Sequence, residues 1–211
     1  MWTVFTNIGD AAMTLPVAAI CAAWLALFDV RLASRLIGAL VAGIAIVGAT
    51  KIIHAGWGLS FPAIDFRVIS GHTMLSTSVW MVAITLQLKW WRQPPLAGSV
   101  AGMAIGALTG ISRVMDHSHS VSEVISGCVL GALVAMFFLR TALNLEFERF
   151  RPAWSTISLL LVSTFTYGHK APLQHLIEAH SPGIRNHTPS VTALLRQMRH
   201  RVHSHDSTSA R

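Results

Sequence analysis

Long apolar runs, broken by single charged or turn-forming residues, fill the chain from Ala11 to Leu139. A spanning helix needs about 20 mostly apolar residues. Five runs meet that length, from Ala11 to Val30, Leu36 to Ile53, His72 to Leu88, Leu96 to Arg113 and Val121 to Leu139. The connections are short, so neighbouring helices are expected to pack antiparallel. A sixth run, Trp154 to Tyr167, is shorter than the bilayer core requires. It is expected to span, to re-enter or to lie in the interface. The pattern predicts an all-α fold, a polytopic membrane bundle of five to six transmembrane helices. Residues 1–152 form the membrane-embedded core, 153–167 the short apolar segment and 168–211 a basic, His-rich tail.

Small and charged residues refine this layout. Gly98, Gly102, Gly106 and Gly110 recur every four residues, and Gly127 and Gly131 follow in the next run. Such stripes let helix backbones approach closely in lipid, so a packing seam is predicted. Trp90 and Trp91, beside Lys89 and Arg92, are read as interfacial anchors. Arg31 and Arg35 are placed between the first two helices, Lys89 and Arg92 between the third and fourth, and Arg140, Arg149 and Arg151 after the fifth. Lys and Arg favour cytoplasmic loops, which assigns this face to the cytoplasm and loops 51–71 and 113–120 to the outer face. The start of the chain has no positive n-region, and Asp10 precedes the first run, so the first helix is expected to be retained. If the sixth run spans, a tail holding Lys170, Arg185, Arg196, Arg199, Arg201 and Arg211 lies outside. If it does not, the tail stays inside and obeys the charge rule, which is the preferred reading.

Composition excludes several classes. Only 12% of residues are charged and 53% are hydrophobic, whereas a soluble domain carries about a quarter charged residues. Mean hydropathy is +0.55, which also argues against disorder. The net charge of +7, from 16 Lys and Arg against 9 Asp and Glu, would suit nucleic acid. The charges sit singly at the ends of apolar runs, however, and only the tail is a basic stretch, so no nucleic-acid partner is expected. Cys21 and Cys128 lie in apolar stretches and read as inert packing residues, which excludes a disulfide framework. The tail holds seven of the 11 histidines without a fixed ligand spacing. It reads as a flexible or surface-bound segment, with 191–202 able to form a basic helix against anionic lipid.

The chemistry concentrates in the two outer loops. The first runs from Lys51 through Arg67 to Ser70-Gly71-His72, and the second holds Ser112, Arg113, Asp116, His117, His119 and Glu123. Ionisable residues this close to membrane helices point to a functional site, and these suit phosphoryl transfer. Lys51 and Arg113 supply positive charge for phosphate oxygens. Ser70 and Gly71 precede a helix whose N-terminal amides can hold an anion. His72 and His119 offer nucleophile and proton-transfer roles. Glu123 follows His119 by four residues, which stacks the pair on one helix face and lets the carboxylate hold one ring nitrogen. A metal reading of Asp116, His117 and His119 is weaker, because Glu123 already accounts for His119.

These motifs resemble the type-2 phosphatidic acid phosphatase superfamily, membrane lipid phosphatases related in fold to vanadium haloperoxidases. That family's pattern has Lys, six residues, Arg-Pro, then Pro-Ser-Gly-His, then Ser-Arg, five residues, His, three residues and Asp. Ser70-Gly71-His72 matches the second element, with Ile69 for Pro. Ser112-Arg113, His119 and Glu123 match the third in both gaps, with Glu for Asp. Lys51 begins the first, but Gly58-Leu59 stands where Arg-Pro belongs. The resemblance covers roughly residues 35 to 140 and implies a role for each match. His119 would be the nucleophile that forms a phosphohistidine, Glu123 its orienting carboxylate, and His72 the general acid and base. Lys51, Ser70, Gly71 and Arg113 would bind phosphate, with Arg67 a further candidate for the missing arginine. The family works without a metal, so no cofactor is expected.

The expected function is an integral membrane phosphatase for lipid phosphate or diphosphate monoesters. It is placed in a bacterial inner membrane with the active site facing the periplasm, its partners being the lipid substrate and the bilayer. The alternatives are a lipid phosphotransferase of the same fold and a catalytically weak relative that binds lipid headgroups. A small transporter is disfavoured because the ionisable residues lie at helix ends rather than at the midplane.

Overall fold

A computed structural model describes residues 3–144 and 152–167 of the chain. The tail readings, Arg149 and Arg151 lie outside these residues. The order is α1 (Thr3–Ile8), α2 (Ala11–Ala26), α3 (Val30–Trp57), a 3-10 turn (Pro62–Ile64), α4 (Gly71–Trp90), α5 (Pro95–Met115), α6 (Val121–Ala142) and α7 (Pro152–Thr166). By length and composition four stretches can cross a membrane: Phe5–Ala26, Val30–Trp57, Pro95–Met115 and Val121–Ala142.

Capping residues set the helix ends. Asp10 accepts the Ala12 N–H at 2.8 Å and starts α2, and Asp29 accepts the Arg31 N–H at 2.8 Å and starts α3. These carboxylates satisfy amides that have no partner inside the helix. Arg31 and Arg35 therefore lie in the opening turns of α3 rather than in a loop, and Lys51 lies in its last two turns. The apolar centres of the runs were read correctly, but a hydropathy run does not extend to polar helix ends. Gly58 ends α3 in the left-handed conformation, φ +67°, which glycine adopts without steric penalty. Lys89 donates to the carbonyls of Ala142 (3.0 Å) and Leu143 (2.6 Å), satisfying the C-terminal end of α6.

Helix α4 is the axis of the bundle, packed between α5 and α6. The glycine seam is what admits it. A Cβ on Gly98 would stand 2.6 Å from the Thr85 Cα, one on Gly127 2.7 Å from the Ser70 carbonyl oxygen, and one on Gly131 2.5 Å from that of Met74. Those on Gly102 and Gly106 would meet the backbone of Met81 and Thr77. Both faces of α4 thus lie directly against neighbouring backbones. Hydroxyl pairs bridge the same contact, Ser76 with Thr109 at 2.9 Å and Thr85 with Ser99 at 3.0 Å.

Helix α7 packs on α2 and touches α4. Trp24 Nε1 donates to Ser158 (2.9 Å), Ser155 donates to Gln87 (3.0 Å), and Gln87 and Trp91 both donate to Thr156. At about 1.5 Å per residue its 15 residues reach about 22 Å, less than the roughly 30 Å hydrocarbon core. Trp91 is about half exposed, but Trp90 is buried in the main apolar cluster with Leu86 and Phe138, so only Trp91 is placed as an anchor would be.

Candidate active site

The site is built at one end of the bundle, where α4 and α6 begin and α3 and α5 finish. Its centre is the first turn of α6. Ser120 caps the helix and Glu123, at the third helical position, closes a reciprocal capping box. The buried carboxylate has four donors. Oε1 accepts from the amides of Arg67 (3.0 Å) and Val68 (3.2 Å). Oε2 accepts from the Ser120 amide (3.3 Å) and lies 2.7 Å from His119 Nδ1. A carboxylate so engaged takes the proton of Nδ1 as a hydrogen bond, which leaves Nε2 with its lone pair. Glutamate suits this position because its length serves the capping box and reaches the incoming loop as well.

Electrostatics tune the same ring. Burial pushes the His119 pKa below its ordinary value of 6.5. The bond to Glu123 and its charge oppose the shift, while Arg113 and Lys51 add to it. The ring is therefore neutral near pH 7, the form a nucleophile requires.

The loop from Gly58 to Ser70 is fastened to α6 at several points. Besides the two amides on Glu123, the Ser70 amide donates to the Glu123 carbonyl (3.1 Å) and the Ser122 hydroxyl to that of Asp65 (3.3 Å). The Ile69 amide donates to Thr50 Oγ1 at 3.2 Å, tying the loop back to α3. This arrangement alters the part read for Ser70. Its N–H is committed to Glu123, and its enclosed hydroxyl pairs with Thr73 Oγ1 at 2.9 Å. Gly71 stands at the first helical position of α4, among the amides that have no partner inside the helix. Beside Gly71 a Cβ would touch only Val47, at 3.4 Å.

The cations come from two helices. Lys51 on α3 acts electrostatically on His119, as does Arg113 on α5. The Arg113 carbonyl accepts the amides of Ser118 (3.0 Å) and His119 (3.2 Å), which folds the second loop against the helix end. Arg113 Nε is buried without a hydrogen-bond partner, an arrangement that is costly unless a ligand supplies an acceptor. Arg67, half exposed, brings its Nε to 3.7 Å from Glu123 Oε1, so its nearest anion is the orienting carboxylate. Gly58 occupies a left-handed helix end, and this accounts for a glycine where the motif has arginine.

The structure brings Lys51, Gly71, His72, Arg113 and Glu123, on four helices, and His119, just before the cap of α6, to this one end. His117 is exposed in the left-handed region, φ 53°, and Asp116 accepts from Thr6 at 3.2 Å. Among the described residues no group of three His, Cys, Asp or Glu side chains could hold a metal ion. One residue missed in the sequence reading is Asp10, whose Oδ2 stands 3.5 Å from His72 Nε2. The available signal was its position as a carboxylate beside an apolar run.

Comparison with known proteins follows the same residues. Residues 54–149 match the family model described as the PAP2 superfamily. A Klebsiella pneumoniae protein described as an uncharacterized 22.5 kDa protein in cps region is 33% identical over 189 residues, covering 83% of this chain and 88% of that one. No solved structure matches the chain at a significant level.

Proposed function

The chain belongs to the PAP2 superfamily, generally metal-independent phosphatases, and on that footing we propose that it hydrolyses lipid phosphate or lipid diphosphate monoesters through a phosphohistidine. The observation that carries the reading is the His119–Glu123 pair at 2.7 Å, with its ring held neutral beside Lys51 and Arg113. His119 Nε2 attacks phosphorus, the bond to the lipid oxygen breaks, and His72 gives its proton to that oxygen. In the second half His72 takes a proton from water, whose oxygen displaces His119. Inorganic phosphate leaves and the neutral ring returns. Lys51, Arg113 and the Gly71 amide stabilise the equatorial oxygens as charge builds on them.

The site would face the periplasm of a bacterial inner membrane at headgroup depth. Support comes from the opposite end of the bundle, where Arg31, Arg35, Lys89, Arg92 and Arg140 gather, as cytoplasmic ends do. The buried Nε of Arg113 supports a bound phosphate, which the hydrolase, the transferase and a catalytically weak headgroup-binding relative share.

The test is phosphate release by the protein in detergent without added metal, over a panel of lipid phosphates and diphosphates. Wild type is expected to release inorganic phosphate, and His119→Ala to lose on the order of 10⁴-fold or more. Undiminished turnover in His119→Ala would sink the mechanism. Label passing to a second lipid instead of water would establish the transferase.

A further inference from the structure

Asp10 lies outside the motifs and outside residues 54–149. Its two oxygens have separate partners. Oδ1 accepts the Ala12 amide and caps α2, while Oδ2 faces His72 Nε2 at 3.5 Å. Both side chains are largely enclosed, 15% and 20% exposed. The segment that carries Asp10 is fixed on both sides. Trp80 Nε1 donates to the Ile8 carbonyl (3.1 Å), and Thr109 Oγ1 to that of Phe5 (3.4 Å). Thr6 Oγ1 lies 3.1 Å from Ser112 Oγ, the residue before Arg113. Gly9 has no room for a side chain, because a Cβ would run into Thr109 and stand 3.3 Å from the His72 carbonyl oxygen. Such packing holds a carboxylate in place at low entropic cost.

We propose that Asp10 is the positioning residue for His72, as Glu123 is for His119; the inference rests on the phosphatase reading above. The carboxylate takes the Nε2–H and fixes the ring, which leaves Nδ1 as the nitrogen that carries the transferred proton. In the first half the Nδ1 proton passes to the departing lipid oxygen, and in the second Nδ1 receives one from water. Asp10 stays charged throughout. The two histidines thus use opposite ring nitrogens, each oriented by a carboxylate on the other side. One carboxylate comes from the motif helix and the other from the N-terminal segment.

Asp10→Asn separates this role from the cap. Asparagine keeps an acceptor for Ala12, removes the charge and turns a donor toward His72. The full-length protein is assayed in detergent on an alkyl lipid phosphate and on p-nitrophenyl phosphate, whose leaving group needs no proton. A defect in proton donation is expected to lower kcat on the lipid by about 10²-fold with KM unchanged. In kcat/KM, which reports the first half alone, the aryl ester should lose less than about threefold, and Asp10→Asn should add nothing to His72→Ala. Equal losses of kcat/KM on both substrates, no loss on either, or additivity with His72→Ala would overturn the role of Asp10 alone. A wild-type protein inert on both substrates would instead overturn the phosphatase reading, and this inference with it.

Discussion

Helices α3 and α4 both deliver a residue to the site, Lys51 at the end of one and His72 at the start of the other, yet they suit opposite surroundings. Eight of the 28 residues of α3 are buried, and Ile37, Val41, Ile46 and Ile52 face outward. Thirteen of the 20 residues of α4 are buried, among them Thr73, Ser76, Thr77, Ser78 and Thr85 with no exposure. The helix at the centre of the bundle is absent from the stretches that qualify as spans by composition. Hydropathy reports contact with lipid, and a helix surrounded by other helices has little. Its hydroxyls have partners on neighbouring backbones and side chains, so they do not oppose burial.

The contrast makes its largest prediction for glycine. In Gly102→Leu the new side chain would enter the backbone of Trp80 and Met81, and loss of monodisperse folded protein is expected on size-exclusion chromatography. In Gly48→Leu, on α3, the first added carbon meets nothing within 4 Å, and the same profile as wild type is expected. Equal behaviour of the two variants would contradict the placement of α4 at the axis.

Lys51→Ala comes next, with a loss of about 10²–10³-fold in kcat. It should also move the pH profile. Lys51 lowers the pKa of His119, so without it the ring keeps its proton to higher pH. The acid limb of kcat/KM is expected below 6.5 in wild type and at higher pH in the variant. A lowered plateau with an unmoved limb would mean that Lys51 binds phosphate without tuning the nucleophile. The smallest effect belongs to the hydroxyl pairs. Ser76→Ala, which removes the bond to Thr109, should cost about 0.6 kcal/mol by unfolding in detergent. A loss several times larger would show the pair to be part of a coupled network.

Much of this plan was legible in the chain. Run lengths located every helix from α2 to α7, and four-residue glycine spacing located the seam. The His119–Glu123 pair was legible in its four-residue spacing, although the structure joins the two over the helix cap: His119 precedes Ser120, outside α6, and Glu123 reaches back to it. Their further partners were not. Arg67 and Val68 reach Glu123 across more than 50 residues, by a loop path that no local pattern encodes. Helix α1 was missed because six residues are too few to show a period. Asp10 read only as a boundary, since its cap is local and its contact with His72 is tertiary. Trp90 was placed at the interface because Lys89 and Arg92 flank it, whereas Lys89 turns to the end of α6 and the indole lies in the apolar cluster.

The fastening of the Gly58–Ser70 loop onto Glu123 orders events in time as well as in space. A ribosome makes Lys51, the loop and His72 before it makes His119 and Glu123. The earlier segments wait for a carboxylate that arrives with the fifth of the predicted spans. Only when that helix docks does the His119 ring acquire its carboxylate partner, so a nascent chain that ends before α6 lacks the pairing on which the proposed chemistry depends.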